Sequence, residues 1–244
     1  MVNIKINGIE YAVEEGTTIL EACRQNGIRI PTLCWLKDIN AIGACRICVV
    51  EMTGARSLVA SCVYPLSKFD EGKNILTHSP AVLQSRKMTL QLLLSDHNMD
   101  CLACSRNGSC ELQELCKELG VDDTTFFEGE KNEYDIDYSS KHMFRDNNKC
   151  IHCRRCIAAC DKLQGIGVIG ANNRGFKTSI DCAFDLDLAE TACVSCGQCI
   201  TACPTGALAE KDDTDKVWDA LADPEKVVVV QLSLIHISEP TRPY

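Results

Sequence analysis

The sequence predicts an α+β protein built from several small modules. Its 18 cysteines fall into groups instead of being spread evenly along the 244 residues. Residues 2–13 have the alternating pattern of a β-hairpin, whereas later segments have the apolar periodicity of helices. Residues 150–160 and 193–203 repeat one another, CIHCRRCIAAC and CVSCGQCITAC, with identical cysteine spacing. The repeat indicates a pseudo-twofold unit within the chain.

Composition restricts the class of protein. The formal net charge of -9 disfavours nucleic acids and anionic membrane surfaces, which select basic patches. No apolar run approaches the roughly 18 residues that span a bilayer. We therefore expect a cytoplasmic protein, and in that reducing compartment clustered cysteines are metal ligands more often than disulfides.

The first predicted module covers residues 1–78. It opens with two strands around Asn7-Gly8, because both residues tolerate the positive φ of a two-residue hairpin turn. Thr17 or Thr18 is then expected to cap a helix that runs to Asn26. Further strands are predicted over residues 48–52 and 58–63. Together these elements form a small mixed module.

The second predicted module covers residues 79–137. Ser79-Pro80 is a strong helix start, with serine as the cap and proline at the first helical position. The expected buried stripe of this helix consists of Val82, Leu83, Met88, Leu90, Leu93 and Leu94. A shorter helix is predicted over residues 111–119 and ends at Gly120. The acidic segment 122–140 is interpreted as a connector.

The third predicted module, residues 138–212, contains the repeat and a strand-like alternation over residues 180–188. A helix is expected over residues 213–222 and a buried strand over 227–230. The last residues, 232–244, read LSLIHISEPTRPY and look like a translated transposon adapter from a sequencing library. A genuine short tail is the alternative.

The repeat carries the strongest chemical signal. Three cysteines spaced C-x2-C-x2-C can hold one face of a [4Fe-4S] cluster, while the fourth cysteine of each run reaches the neighbouring cluster. The spacing therefore predicts two interleaved sites. One consists of Cys150, Cys153, Cys156 and Cys203, and the other of Cys193, Cys196, Cys199 and Cys160. Structural zinc competes less well, because it usually takes two separated pairs of ligands.

A second group lies in the first module. Cys34, Cys45, Cys48 and Cys62 can hold a [2Fe-2S] cluster, and Gly43 would let the backbone approach its sulfides. The first gap is longer than in plant ferredoxins, so spacing alone leaves a four-cysteine zinc site as an alternative.

A third group follows the long helix. It combines one imidazole with three thiols in His97, Cys101, Cys104 and Cys110, a set that suits zinc or a [4Fe-4S] cluster. The neighbouring groups favour iron. The alternative role of His97 is to cap the end of the helix. The remaining cysteines, Cys23, Cys116 and Cys182, lie on apolar faces and are interpreted as packing residues.

The order of these motifs resembles the amino-terminal iron-sulfur region of [FeFe] (iron-only) hydrogenase catalytic subunits, in particular the NAD(P)-linked multi-subunit type. The telling stretches are IPTLCW-x9-CRICVVE, DHNMDCLACSRNGSCELQ, NKCIHCRRCIAAC and CVSCGQCITACPTGAL. The resemblance implies a β-grasp [2Fe-2S] domain, a small helical [4Fe-4S] domain with one His and three Cys ligands, and a bacterial 2[4Fe-4S] ferredoxin-like domain. It thus implies one [2Fe-2S] and three [4Fe-4S] clusters, with His97 as a ligand.

By the same resemblance, residues 213–231 would begin an active-site domain that is cut short, so no catalytic residue is assigned. The chain would relay electrons from a flavin- or NAD(P)H-oxidising subunit, or from a ferredoxin, within a hetero-oligomer. Two alternatives remain: the corresponding region of an NAD-dependent formate dehydrogenase, and a free-standing multi-cluster electron carrier.

Overall fold

The computed structural model describes residues 1–121, 127 and 129–229. The described residues form one five-stranded sheet, two two-stranded sheets and several helices that lie outside the sheets. This architecture confirms the predicted α+β class. In the described residues, no helix is both long and apolar enough to cross a lipid bilayer.

A five-stranded sheet organises the first module. Its strands are β1 (Val2–Ile6), β2 (Ile9–Val13), β3 (Val49–Met52), β4 (Val59–Ala60) and β5 (Asn74–Leu76). The order is β2-β1-β5-β3-β4, with β1 and β5 parallel and the other pairs antiparallel. The helix α1 (Ile19–Gln25) buries Ile19 and Leu20 in the same core as Ile4 and Ile75.

Local sequence signals fix the start of this module. Asn7 and Gly8 have φ values of 53° and 88°, which gives the turn the twist that the hairpin needs. Thr18 caps α1: its Oγ1 accepts the backbone N–H of Glu21, whose carboxylate accepts the backbone N–H of Thr18. Sequence analysis missed β5, since three residues are too few to show a pattern and the parallel pairing with β1 is a tertiary contact.

Two helices form the second module, α2 (Pro80–Ser95) and α3 (Glu111–Leu119). Both match the predicted bounds, and Ser79 Oγ accepts the N–H of Val82 as expected. The predicted buried stripe of α2 is partly wrong: Met88 is 44% exposed, whereas Arg86 is 1% exposed. The buried residues of α2 are spaced four apart along the helix: Val82, Arg86, Leu90 and Leu94. Arg86 is therefore buried because of its position on this face of the helix, although its side chain is not hydrophobic.

The third module consists of two small antiparallel sheets and two short helices. Strand β6 (Met143–Arg145) pairs with β9 (Leu208–Glu210), and β7 (Ile169–Asn172) pairs with β8 (Ser179–Cys182). The helices α4 (Arg155–Ala158) and α5 (Gln198–Ala202) occupy equivalent positions in the two repeats. This equivalence supports the predicted pseudo-twofold unit.

One predicted strand is too long, and another is absent from the described residues. Strand β8 ends at Cys182, because Phe184 has a φ of 61° and turns the chain outward, leaving its ring 94% exposed. The described part of the segment 227–230 forms no strand, and Val227 is 90% exposed because no described strand lies beside it. The preceding helix is present as α6 (Thr214–Ala222).

Some expectations fall on residues outside the structure's description. They concern residues 122–126 and 128 of the acidic connector and residues 230–244, which include the adapter-like tail. Within the described part of the connector, residues 129–140 form no helix or strand beyond a bridge between Asp137 and Arg145.

Besides the separate cores of the first and third modules, one apolar cluster is shared by all three modules. Leu33 and Ile47 of the first module pack with Leu90 and Leu112 of the second and with Ile151 of the third. The cysteines Cys34, Cys45 and Cys153 lie in this same cluster. The sulfur-bearing loops therefore lie where the modules meet.

Replacing Thr18 with alanine removes the cap of α1 and should lower the free energy of unfolding of this module by about 1 kcal/mol. The shift of the urea midpoint, followed by circular dichroism, measures this loss. Thr17→Ala is the matched control, since the Thr17 side chain forms no hydrogen bond within the part of the chain that the structure describes, whereas Thr18 does. Equal shifts for the two variants would contradict the capping role.

Candidate metal centres

Two cavities in the third module are each lined by four cysteines. One is lined by Cys150, Cys153, Cys156 and Cys203. The other is lined by Cys160, Cys193, Cys196 and Cys199. Each cavity thus combines three cysteines of one repeat with the last cysteine of the other, and the remaining walls are mainly apolar.

The loops that carry these cysteines share an unusual backbone. His152 and Ser195 occupy equivalent positions and have φ values of 53° and 54°. Arg154 and Gly197, two residues further on, have φ values of 59° and 73°. These left-handed residues curl each loop so that backbone N–H groups face the sulfurs; for example, His152 N–H donates to Cys150 Sγ at 3.4 Å. Identical dihedral patterns in both repeats show that the cysteine spacing specifies one loop shape twice.

Burial makes these thiols difficult to ionise alone. Desolvation, with a smaller effect of neighbouring cysteines, raises the pKa of Cys153 and of Cys199 to about 12. Burial raises the pKa of Cys150 and Cys156 as well. Thiolates packed this closely need a bound cation to compensate their charge. The donor sets therefore fit metal clusters, and sulfur ligation suits iron.

The four cysteines of the first module are also brought together. Cys34, Cys45, Cys48 and Cys62 are at most 6% exposed. Side-chain hydrogen bonds from Cys45 and Cys62 lower the pKa of Cys34, and the same bonds raise the pKa of the two donors. The backbone N–H groups of Ala44 and Cys45 also lower the pKa of Cys34, with a smaller effect. Gly43, with a φ of 63°, makes this turn and packs against Val63, so its role is local shape.

The third group lies between α2 and α3. Cys101, Cys104 and Cys110 are close enough to interact electrostatically, and burial raises the pKa of Cys110. His97 is 8% exposed, and its Nδ1 atom has no hydrogen-bond partner in the described residues. Burial lowers the pKa of His97 to about 4, so the ring is neutral and can bind a metal. The ring makes no hydrogen bond to α2 among the described residues, which argues against the capping role.

Sequence analysis missed Gly206, which lets the loop of this third group contact the second repeat. A Cβ atom placed on Gly206 would lie 2.4 Å from Cys104 Sγ, so only glycine allows this approach. Nearby, the N–H of Glu111 donates to Pro204 O at 3.0 Å, and Arg106 Nη2 donates to Ile200 O at 2.6 Å. The contact between distant segments gave no signal in the sequence.

A second missed residue, Asn40, joins the first group to the repeat. Its side chain is 3% exposed, and Nδ2 donates to the carbonyl oxygens of Cys34 at 2.7 Å and Cys153 at 3.1 Å. One buried amide therefore holds together two of the cysteine-bearing loops.

The three unassigned cysteines have packing environments. Cys23 and Cys182 are fully buried, and Arg145 Nη1 lies 3.5 Å from Cys182 Sγ. Cys116 is partly buried beside the core that joins the modules. Among the described residues, no three His, Cys, Asp or Glu side chains come close enough to bind a single metal ion. In a [4Fe-4S] cluster each protein ligand binds a different iron, and in a [2Fe-2S] cluster each iron takes two, so the ligands of such a cluster do not converge on one ion.

Three family models match successive parts of the chain. Residues 1–79 match a 2Fe-2S iron-sulfur cluster binding domain. Residues 86–125 match the NADH-ubiquinone oxidoreductase-G iron-sulfur binding region, and residues 149–207 match a 4Fe-4S dicluster domain. The chain thus contains iron-sulfur domains of both the 2Fe-2S and the 4Fe-4S types, which resolves the zinc alternative in favour of iron.

Curated relatives are subunits of larger oxidoreductases. The NADP-reducing hydrogenase subunit HndD of Solidesulfovibrio fructosivorans is 44% identical over 95% of this chain and 40% of its own length. The NADPH-Fe(3+) oxidoreductase subunit alpha of Geobacter sulfurreducens is 36% identical over 86% of this chain and 24% of its own length. The chain therefore spans less than half of the length of these relatives.

A solved structure shows the same arrangement. A chain of an NAD+-reducing [NiFe]-hydrogenase in the H2-reduced state superposes with a TM-score of 0.78 at 28% identity. The match covers 86% of this chain and 87% of that chain.

Replacing Gly206 with alanine should displace Cys104 Sγ, because the new methyl group and the sulfur cannot share the same space. We expect iron content and the low-temperature electron paramagnetic resonance (EPR) signal of this group to fall while the other signals persist. Gly170→Ala is the matched control, since nothing lies within 4 Å of a Cβ atom there. A full iron content in Gly206→Ala would contradict the proposed role of Cys104.

Proposed function

Because this chain contains the iron-sulfur region of a hydrogenase-like subunit, we propose that it relays single electrons to an [FeFe] hydrogenase active site in a further domain. The donor would be a flavin- or NAD(P)H-oxidising subunit or a ferredoxin, within a hetero-oligomer. A cytoplasmic location remains a prediction. The pair of interleaved four-cysteine cavities is the observation that carries the proposal.

The proposal includes one [2Fe-2S] and three [4Fe-4S] clusters. The [2Fe-2S] ligands would be Cys34, Cys45, Cys48 and Cys62. The [4Fe-4S] ligands would be His97, Cys101, Cys104 and Cys110 in one site, Cys150, Cys153, Cys156 and Cys203 in a second, and Cys193, Cys196, Cys199 and Cys160 in a third. When bound, such clusters supply one-electron transfer without proton or group transfer.

The residues of this chain hold the sites and keep them close. Burial of the cysteines excludes water, which limits solvent reorganisation when charge changes. Asn40 of the first module donates to the carbonyl oxygen of Cys153, so the first module cannot separate from the repeat without breaking this buried hydrogen bond. Gly206 and Cys104 are in direct contact, which fixes the third group against the same repeat. All the proposed ligand groups therefore belong to one packed unit.

A second candidate function is electron transfer by a subunit that has no active site of its own. The coverage of 87% of a chain from an NAD+-reducing [NiFe]-hydrogenase favours it. The native coding sequence that follows about residue 231 distinguishes the candidates: further cluster-binding cysteine motifs there would support the [FeFe] enzyme. A molybdenum or tungsten pterin domain would instead support a formate dehydrogenase.

Iron analysis of the anaerobically reconstituted chain tests the proposed clusters. One [2Fe-2S] and three [4Fe-4S] clusters require about 14 irons per chain. The interleaved ligands predict that Cys150→Ala and Cys203→Ala affect the same cluster, so their double variant should lose about four irons. The double variant Cys193→Ala/Cys203→Ala should lose about eight, because it affects two clusters.

The reverse pattern, in which the second pair loses about four irons and the first about eight, would show that each run of cysteines binds its own cluster. Cys116→Ala is the matched control, since this partly buried cysteine belongs to no proposed site. It should retain all of the iron.

His97→Cys tests the ligand of the third group. A thiolate in place of a neutral imidazole adds negative charge, which disfavours the reduced state. The variant should therefore retain its cluster but show a lower midpoint potential in an EPR-monitored redox titration. An unchanged potential, with the cluster present, would argue that His97 is not a ligand.

A further inference from the structure

Arg86 lies inside the protein, on the face of α2 that packs against strand β3. Its side chain occupies the position between Val82 and Leu90 in the buried row of the helix. Only 1% of the residue is exposed, although arginine is among the residue types that are rarely fully buried without a partner. A helix of this type would ordinarily place an aliphatic side chain here.

The guanidinium is poorly satisfied by the protein itself. Nη2 donates to Val49 O at 2.9 Å, whereas Nε is buried and has no hydrogen-bond partner in the described residues. No described carboxylate forms a salt bridge with it. Glu118 attracts it from a distance, but the Glu118 carboxylate already pairs with Arg29 at 3.0 Å. A buried charge in this state is costly unless a counter-charge lies near.

The four-cysteine group of the first module is the source of negative charge that acts most strongly on Arg86. Val49, which accepts the hydrogen bond from Arg86, directly follows Cys48 in the chain. The thiolate of Cys48 is the first electrostatic partner of Arg86. Burial lowers the pKa of Arg86 to about 10, which still leaves the guanidinium charged near neutral pH.

Other buried arginines behave differently. Arg145 pairs with Asp137 at 3.1 Å, and Arg155 binds both carboxylate oxygens of Glu111 at 2.6 and 3.0 Å. These two cations have carboxylate partners and need no further anion. Arg86 differs from them because no described carboxylate pairs with it. A negatively charged group at Cys48, the residue before Val49, would serve as its partner instead.

We propose that Arg86 is the buried counter-charge of the cluster held by Cys34, Cys45, Cys48 and Cys62, and that it raises the reduction potential of that cluster. This inference rests on the proposed [2Fe-2S] site. Reduction adds one electron and no proton, so the reduced cluster is more negative by one charge. A fixed cation at this position stabilises the reduced form more than the oxidised form.

A purely structural role is the competing explanation, since Arg86 also connects α2 to β3 through Val49. The variants Arg86→Gln and Arg86→Lys separate the two roles. Glutamine keeps an N–H donor on a polar side chain but carries no charge, whereas lysine keeps the charge. Arg56→Met is the matched control, because it removes one positive charge from an exposed position of the same module, where solvent screens it.

The experiment is an EPR-monitored redox titration of the anaerobically reconstituted full chain, with dithionite as reductant. In Arg86→Gln, the ratio of reduced to oxidised [2Fe-2S] cluster at a fixed potential should fall about tenfold, a shift of about 59 mV for one electron. Arg86→Lys and Arg56→Met should remain close to the wild type. A wild-type potential in Arg86→Gln, with the cluster present, would overturn the proposal.

The remaining outcomes are also decisive. If Arg86→Gln does not assemble the cluster, Arg86→Lys becomes the test. A tenfold fall in its ratio of reduced to oxidised cluster at a fixed potential would overturn the proposal. A wild-type chain that contains iron but shows no [2Fe-2S] signal would overturn the proposed site itself. Failure of the site is therefore distinguishable from failure of the role of Arg86.

Discussion

Packing many sulfur ligands into a small interior is the constraint on which the rest of this structure depends. Thiols as buried as Cys34 and Cys153 are stable together only if their charge is compensated. Backbone N–H groups supply part of that compensation, and the left-handed residues of the cysteine loops exist to direct them. The unusual φ values are therefore a consequence of ligand chemistry, since strain of this kind persists only where surrounding structure requires it.

The same constraint explains how the modules assemble. The first module has a core of its own, and a second apolar cluster that all three modules share is built around loops that carry cysteines. Asn40 and Gly206 lie at contacts between these loops, one through a buried amide and one through the absence of a side chain. Proximity of the ligand groups and stability of the assembly thus have a common origin.

Sequence patterns predicted the local features well because their causes are local. The hairpin at Asn7-Gly8, the cap at Thr18 and the helix after Ser79 each depend on interactions within a few residues. The spacing of the cysteines likewise predicted which thiols come together, as the two interleaved cavities illustrate. Errors occurred at Met88, Phe184 and Val227, where apolar character suggested burial but no neighbouring element covers the side chain.

By itself, the sequence determined the class of chemistry and predicted the ligand groups, because metal ligation demands particular residue types at particular spacings. Only the tertiary structure decided which residues support those groups from outside the motifs. The pairing of β5 with β1, the contact of Gly206 with Cys104 and the burial of Arg86 all join segments far apart in the chain. Such contacts depend on how the modules pack, and neither residue type nor spacing encodes that packing in a readable pattern.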